Sequence, residues 1–401
     1  MTTSNPDDRT RILRTVRGQE VTPDRDVTAA CGVEAKNLKR AVFPGKYIQG
    51  RGALGELPLL MDSLGGKGLV LASPSAHKNI LPACGIDWGS RNTILDSFQG
   101  ECCERELSRV AELIGRHQVD ILVGMGGGKA IDTAKIAADR AGIPVIIVPT
   151  IASTDAPCSG CAVLYSDDHV FESVYYQKMN PAAVLVDERI IVQAPVRFFI
   201  AGMGDALATW FEARSCSTTQ SPNACGGLSP MAGLHIARLC YETLIGYGVA
   251  AKLACEQKAI TPAFSRVVEA NILLSGIGFE SGGLGAAHSI HNGFTALEES
   301  HAFYHGEKVA FGVLAGLQLA DAPPAESEEV FSFSEKIGLP TTLADLGLGK
   351  RGRADLMKVA EKACDPVECI HHEAGVITPD KVLDAILAAD AIGRSRKGSS
   401  G

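Results

Sequence analysis

The chain of 401 residues has 46 acidic and 38 basic residues and a formal net charge of −8, so it lacks the basic surface that binds nucleic acid. No apolar run approaches the ~18 residues that cross a bilayer, and the polar N-terminus lacks the apolar segment of a secretory signal. We therefore expect a cytoplasmic globular protein with neither a membrane nor a nucleic-acid partner. In that compartment the 12 cysteines should be free thiols, while the 43 glycines need a local explanation.

The first half of the chain alternates apolar strands with amphipathic helices. Residues 1–40 are polar and are predicted to be an extension without assigned chemistry. A short strand and turn follow from Ala41, then strands at Gly68–Ser73, Asp120–Gly126 and Val145–Pro149, with helices at Ser108–His117 and Ala130–Ala141. Strands that are apolar on both faces and alternate with helices indicate a parallel sheet covered by helices. We predict an α/β domain over residues 41–196.

The second half of the chain, residues 197–401, is predicted to be an all-α domain. Apolar residues recur there at helical spacing in six segments: Ala206–Cys216, Met231–Tyr241, Phe264–Phe279, Val309–Leu319, Glu328–Ile337 and Asp380–Ala391. Long apolar strands are absent from this half. We therefore expect a cleft between a sheet domain and a helical domain.

A glycine-rich turn lies between the strand that ends near Gly126 and the following helix. Consecutive glycines let the backbone approach a phosphate closely, and the first amides of a helix attract anions. The turn is neither a G-x-G-x-x-G fingerprint nor a P-loop, because Lys129 and Ala130 break those spacings. A ligand-free tight turn is the alternative. The predicted cofactor contacts are Gly126, Gly127, Gly128, Lys129 and Asp132.

The next strand ends in a segment rich in small hydroxyl residues. Thr150, Ser153 and Ser159 follow Val145–Pro149, at the sheet edge where open parallel sheets bind ligands. Asp155 is predicted either to accept a hydrogen bond from a substrate hydroxyl or to cap a helix. Cys158 and Cys161 have the spacing of half a redox or zinc site, but a second C-x-x-C is missing.

Three polar residues of the helical half stand among small residues, which leave room for a ligand. They are Asp205, His288 and His305. Two histidines and one carboxylate leave an open coordination position, as in catalytic zinc sites. His291 and His301 are close enough in sequence to be alternatives, and a histidine among apolar residues is also commonly a core residue.

Together, these stretches resemble the metal-dependent (group III, iron-containing) alcohol dehydrogenases, in their glycerol dehydrogenase branch. The motifs are GGGKAIDTAK from Gly126, PTIASTDAP from Pro149, GDALAT from Gly204, AAHSIHNG from Ala286 and HGEKVAFG from His305. The resemblance runs from about Ala41 to about Ala391. It implies a Rossmann-like N-terminal domain for dinucleotide binding and a helical metal and substrate domain, together a dehydroquinate synthase-like fold.

The resemblance also implies roles for single residues. Asp205, His288 and His305 match the metal ligands, for zinc or alternatively iron, and Asp155 matches a residue that touches the polyol. The positions that line NAD are matched by Gly128, Lys129, Thr150, Ser153, Ser159, Cys161 and Tyr165. Ser73 stands where the family commonly has an aspartate that holds the adenosine ribose, so selectivity against NADP is expected to be weak.

The function implied by the resemblance is NAD-dependent, metal-assisted oxidation of glycerol, or a similar vicinal diol, to dihydroxyacetone by hydride transfer. Asp155, Asp205 and His288 would act in catalysis, and His291 is a candidate proton relay. A glycerol-1-phosphate dehydrogenase or a dehydroquinate synthase-like enzyme are same-fold alternatives. No cluster of Lys and Arg near the metal motifs supports their phosphorylated substrates. A catalytically silent nucleotide-binding protein is a further alternative, and a homo-oligomer is expected.

Overall fold

Six parallel strands form the central sheet in the computed structural model, which describes residues 14–16, 19–21 and 38–398. Their order across the sheet is β3-β10-β7-β6-β4-β5. The bounds are β3 Tyr47–Gly50, β4 Gly68–Ala72, β5 Thr93–Ser97, β6 Ile121–Gly126, β7 Val145–Pro149 and β10 Ala183–Asp187. Two antiparallel pairs lie outside this sheet: β1 Arg14–Val16 with β2 Gln19–Val21, and β8 Cys161–Tyr165 with β9 Phe171–Tyr176. The rest of the predicted N-terminal extension before residue 38 lies outside the described residues.

The four inner strands of the sheet are buried along their whole length. Helices α1 Leu57–Leu64, α2 Glu104–His117 and α3 Gly128–Ala141 connect the early strands. Separate apolar clusters pack on the two faces of the sheet, with Leu69, Leu71 and Leu122 in one and Val70, Val123 and Met125 in the other. The predicted parallel sheet with helices on its faces is confirmed.

The chain reverses its direction across the sheet between β4 and β6. After β4 it moves outward to β5, then returns to the other side of β4 for β6 and continues to β7. The carboxyl ends of β4 and β6 therefore open a crevice at the point where open α/β sheets bind ligands. Ser73 follows β4, and Gly127 and Gly128 follow β6, at this crevice.

The described residues beyond Asp187 form helices and no strand. After the short α4 Glu188–Ile191, the helices are α5 Val196–Thr219, α6 Met231–Glu256, α7 Pro262–Glu269, α8 Ser275–Gly282, α9 Ala286–Phe294, α10 His305–Leu319, α11 Pro324–Ile337, α12 Arg353–Ala363 and α13 Pro379–Gly398. Short 3₁₀ turns lie at Ala53–Glu56, Glu298–Ala302, Leu343–Leu346 and Cys369–His372. None of the described helices is long and apolar enough to cross a membrane.

Two details of the predicted elements are corrected by the structure. The helix predicted over Phe264–Phe279 is divided into α7 and α8 by a π-helical segment at Ala270–Leu274. The strands β5, β8, β9 and β10 were not predicted. Val174 and Tyr176 of β9 are exposed, and β5 is half-buried, so β5 and β9 lack the continuous apolar pattern of a buried strand.

Candidate active site

The glycine turn after β6 leads directly into α3. Gly127 precedes the helix, and no side chain caps the first amides. A Cβ at Gly126 would lie 2.8 Å from the Cβ of Ala130 and 3.0 Å from that of Ser73, whereas a Cβ at Gly128 would meet no atom within 4 Å. Gly126 therefore serves packing between strand and helix, while Gly128 faces open space at an uncapped helix N-terminus. The residues present fit an anionic group such as a pyrophosphate.

Lys129 begins a small cluster beside this turn. Its ammonium lies 2.6 Å from Oε2 of Glu101 and 5.2 Å from the centre of the Tyr165 ring, so two of the predicted cofactor residues lie together. Glu101 is 4% exposed, and its carboxylate also bonds His169. Burial would raise the pKa of Glu101, but the hydrogen bonds of His169 and Lys129 outweigh burial and lower it.

The loop after β7, residues 150–160, connects the glycine turn with the helical half. The amide of Thr150 donates to the carbonyl of Gly126 at 2.9 Å, and the amide of Asp155 donates to Oδ2 of Asp205 at 3.3 Å. No helix begins in this loop, so the alternative of Asp155 as a helix cap is wrong. The predicted residues Thr150, Ser153 and Asp155 are partly buried there.

The fully buried Lys135 anchors the end of this loop to α3. Its ammonium donates to the carbonyls of Ala156, at 2.7 Å, and Cys161, and it lies 3.3 Å from the hydroxyl of Ser159. Asp132 is also buried, and it accepts the amide of Val163 at 3.1 Å. The Ser159 hydroxyl and one Asp132 oxygen thus serve internal contacts, and their predicted cofactor roles stay predictions. Burial raises the pKa of the Cys161 thiol to about 12.

The three predicted metal ligands come from three different helices and meet at one point. Their ligand atoms all lie within 4.8 Å of one another, and within residues 38–398 no other group of His, Cys, Asp and Glu does so. Oδ1 of Asp205 lies 3.0 Å from Nε2 of His305 and 3.5 Å from Nε2 of His288. It is buried and has no hydrogen-bond partner. An orphaned carboxylate oxygen facing two imidazole nitrogens fits a divalent cation.

Close contact between α5 and α10 brings Asp205 to His305. A Cβ at Gly306 would overlap the carbonyl oxygen of Ala201, and one at Gly204 would overlap that of Gly306. Only glycine allows the two backbones to approach this closely. Burial would raise the pKa of Asp205, but the neighbouring rings of His305 and His288 outweigh it and lower the value.

Glu212 determines the tautomer of His288, and sequence reasoning missed its role. Its two oxygens accept from the backbone amide of His288, at 2.9 Å, and from Nδ1, at 2.7 Å. A proton on Nδ1 leaves the lone pair of Nε2 free to bind a metal. Asp205 and Glu212 are seven residues apart on α5, which places both on one face. This seven-residue spacing in the sequence could have indicated that Glu212 lies near Asp205.

His291 contacts the predicted metal ligand His305, whereas His301 lies away from the three predicted ligands. Nε2 of His291 lies 3.1 Å from Nδ1 of His305, and Nδ1 of His291 lies 3.0 Å from Oδ1 of Asn292. His301 is exposed, and Nε2 bonds the carbonyl of Thr295. Of the two sequence alternatives, His291 alone lies against this cluster, in contact with a ligand and not among the three ligands.

Asp155 lies next to the cluster formed by Asp205, His288 and His305. Its Oδ2 accepts from the hydroxyl of Ser275 at 2.6 Å, and its backbone amide contacts Asp205. Burial raises the pKa of Asp155, and the charge of Asp205 adds to this rise. The structure thus places a carboxylate that can accept a hydrogen bond from a hydroxyl group beside the three predicted metal ligands.

Known proteins resemble this chain in sequence. Residues 44–188 match the family model described as iron-containing alcohol dehydrogenase. A glycerol dehydrogenase from Thermotoga maritima is 51% identical over 364 residues, which span 90% of this chain and 99% of that protein. A glycolaldehyde reductase from Halobacterium salinarum is 42% identical over 359 residues, 88% of this chain and 97% of that one.

A solved structure supports the same assignment. A probable glycerol dehydrogenase from Sinorhizobium meliloti superimposes with a TM-score of 0.84 at 45% identity, over 89% of this chain and 99% of that chain. The similarity thus covers both the parallel sheet and the helical half that carries Asp205, His288 and His305. The chain belongs to the iron-containing alcohol dehydrogenase family.

Proposed function

We propose that this chain is an NAD-dependent, metal-assisted dehydrogenase that oxidises glycerol, or a similar vicinal diol, to dihydroxyacetone by hydride transfer. The observation that carries the proposal is the buried, unpartnered Oδ1 of Asp205, which lies 3.0 and 3.5 Å from the Nε2 atoms of two histidines. Similarity to a protein named glycerol dehydrogenase at 51% identity supports the choice of substrate.

The catalytic roles are divided among few side chains. Asp205, His288 and His305 would hold zinc or iron, and three protein ligands leave a position for substrate. A metal held there would lower the pKa of the substrate's secondary hydroxyl, and bound NAD would supply the hydride acceptor. Asp155 accepts a hydrogen bond from a neighbouring hydroxyl of the polyol and so orients it.

The proposed cofactor site lies at the crevice between β4 and β6. Gly126, Gly127, Gly128, Lys129, Asp132, Thr150, Ser153, Ser159, Cys161 and Tyr165 are proposed to line it. The open space at Gly128 and the Lys129–Glu101 pair support the part of this list near the turn.

We also propose a dinucleotide-binding domain over 41–196 and a metal and substrate domain over 197–401. Action in the cytoplasm and a homo-oligomeric state belong to the same proposal.

The decisive experiment measures NADH formation with a panel of polyols before and after chelation. Glycerol and propane-1,2-diol should give NADH, chelation should abolish it, and added Zn²⁺ or Fe²⁺ should restore it. The ion that restores more activity distinguishes zinc from iron. Turnover that survives complete metal removal would contradict the proposal.

A matched pair of histidine variants localises the metal. His288→Ala should lose both bound metal and turnover. His235→Ala, which removes an exposed histidine bonded to the carbonyl of Met231, should keep both.

The same assays with NADP in place of NAD test the role of Ser73, since a serine does not repel a 2′-phosphate as an acidic residue would. We expect a modest preference for NAD, and a strong preference would refute weak discrimination.

A further inference from the structure

A π-helical segment precedes the serine that hydrogen-bonds Asp155, the carboxylate that we propose binds the substrate. Residues Ala270–Leu274 form this segment between α7 and α8. An inserted π turn rotates the side chains that follow it and occurs frequently at functional sites. Here it precedes Ser275, the first residue of α8, whose hydroxyl bonds Asp155. The irregularity therefore bears on a residue of the proposed substrate site.

Two side chains at this segment form hydrogen bonds with the loop that carries Asp155. The amide nitrogen of Asn271 donates to the carbonyls of Ala152 and Phe199, both at 3.1 Å, and thus ties the loop to α5. Four residues later, Ser275 donates to Asp155 at 2.6 Å. Both side chains are completely buried. The loop is consequently held at two points by one helical face.

The hydroxyl of Ser275 is itself oriented by a second buried hydroxyl. Oγ1 of Thr209 lies 2.8 Å from Oγ of Ser275. Because the Ser275 hydroxyl donates its single proton to Oδ2 of Asp155, it can only accept from the hydroxyl of Thr209. Thr209 is four residues after Asp205 on α5 and therefore lies on the same face as this metal ligand. The hydroxyl pair links the orientation of Asp155 to the helix that bears Asp205.

The same contacts leave one oxygen of Asp155 available. Oδ2 accepts the hydroxyl of Ser275, whereas no side chain among the described residues donates a hydrogen bond to Oδ1. A Cβ at Gly276 would lie 3.0 Å from the carbonyl oxygen of Asp155 and 2.8 Å from the Cβ of Cys158. The start of α8 thus packs directly against the backbone of the loop that carries Asp155.

We propose that Ser275, supported by Thr209, is a positioning residue that fixes the Asp155 carboxylate so that its free oxygen receives the second hydroxyl of a vicinal diol. This pair thereby determines selectivity for diols over alcohols with one hydroxyl. The inference rests on the proposed function, because it requires a polyol as substrate.

The test compares Ser275→Ala and Thr209→Val with the control Ser281→Ala. Ser281 is also a fully buried serine of α8, but it contacts the backbone of Val42. In Ser275→Ala, kcat/KM for glycerol should fall about 10- to 100-fold, the usual effect of losing a hydrogen bond to a charged group, mainly through KM. The kcat/KM for propan-2-ol and the KM for NAD should each change by less than about twofold.

Thr209→Val keeps the shape of the side chain and guards against a folding defect in the first variant. It should lower kcat/KM for glycerol about two- to fivefold, since it removes only the support for Ser275. Ser281→Ala should leave all these constants unchanged. Equal losses for glycerol and propan-2-ol in Ser275→Ala would overturn the proposal, because they would indicate general damage to the site.

Coupling to Asp155 provides a second criterion that needs no activity with propan-2-ol. In an Asp155→Asn background, Ser275→Ala should reduce kcat/KM for glycerol less than about twofold further, because it acts through Asp155. Fully additive losses would overturn the positioning role while leaving the proposed function intact. A wild-type enzyme inactive on every polyol would instead refute the proposed function, and this inference with it.

Discussion

At the scale of single residues, the proposed metal cluster depends on carboxylates that are not among its ligands. Glu212 binds His288 through its backbone amide and its ring. Glu373 accepts the amide of Ala286, the first residue of the same helix, at 2.9 Å. Two acids from different parts of the chain thus hold the start of α9, where His288 lies. The position of the ligand is determined by contacts remote in sequence.

Glu212→Gln should weaken metal binding about 10- to 100-fold, since a carboxylate that bonds a ligating histidine orients the ring and raises its basicity. Competition with a chromophoric chelator measures the affinity without reference to turnover. Glu242→Gln removes an exposed carboxylate, paired with Arg238 on α6, and should leave the affinity unchanged. Equal affinities of Glu212→Gln and wild type would contradict this role.

Glu101→Gln should lower the melting temperature at pH 7.5 by about 1–3 °C, because Lys129 is partly exposed and water weakens the pair. The pKa of Glu101 is lowered from its ordinary value of 4.5 by His169 and Lys129. Its contribution to stability is therefore complete above that value and is lost as the pH falls through the lowered pKa. In thermal melts from pH 7.5 to pH 3, the difference in melting temperature between wild type and Glu101→Gln should become smaller as the pH falls. Glu112→Gln, exposed on α2, is the control, and a gap that widens in acid would refute the assignment.

At the scale of elements, the site is formed by close approaches between backbones. The glycines at the start of α10 and within α5 bring His305 to Asp205. The uncapped start of α3 leaves amides directed at the crevice after β6. The excess of glycine in the composition is thereby partly explained by positions where a side chain would displace a helix or fill a ligand space.

Gly128→Ala should raise the KM for NAD about tenfold, equivalent to roughly 1.4 kcal/mol of binding, without lowering the melting temperature. Its methyl group would meet no protein atom within 4 Å, and alanine favours a helix over glycine by about 0.5–1 kcal/mol. Gly246→Ala on α6 also meets open space, and it should change stability in the same direction while leaving the KM for NAD unaltered. An unchanged KM in Gly128→Ala would place the pyrophosphate elsewhere.

At the scale of the whole molecule, the proposed metal cluster joins three helices that are distant in sequence. Its ligands lie on α5, α9 and α10, and α5 also packs against the loop that follows the sheet. A cation bound there would link the three helices, and it would bind the folded chain but not the unfolded chain. Metal binding should therefore contribute directly to global stability.

Removal of the metal should lower the melting temperature by about 5–15 °C, because an ion at 1,000 times its Kd stabilises the folded state by about 4 kcal/mol. Differential scanning fluorimetry before and after chelation, and after addition of Zn²⁺, measures the shift. The His288→Ala variant should show no response to the chelator. An identical melting temperature with and without metal in the wild type would contradict a cluster that binds the ion tightly.

The elements that could be predicted are those with a strong local pattern. Buried parallel strands such as β6 and β7 appear as continuous apolar runs, and the helices of the second half show helical spacing. The exposed hairpin strand β9 and the π segment before Ser275 have no such pattern, because packing in three dimensions rather than local preference determines them. For the same reason the sequence did not reveal Glu212, Lys135 or Ser275 as partners of the site.

The alternation of strands and helices and the glycine turn could be predicted from the sequence, because they depend on residue type and short spacing. Asp205, His288 and His305 were candidates among other histidines, and their match to metal ligands came from the resemblance to the family. The tertiary structure alone decided that these three side chains meet, and that His291 rather than His301 lies against them. It also decided that Asp155 bonds a serine of α8 instead of capping a helix. Such contacts join residues up to 120 positions apart. They follow from how helices pack, which no local pattern records.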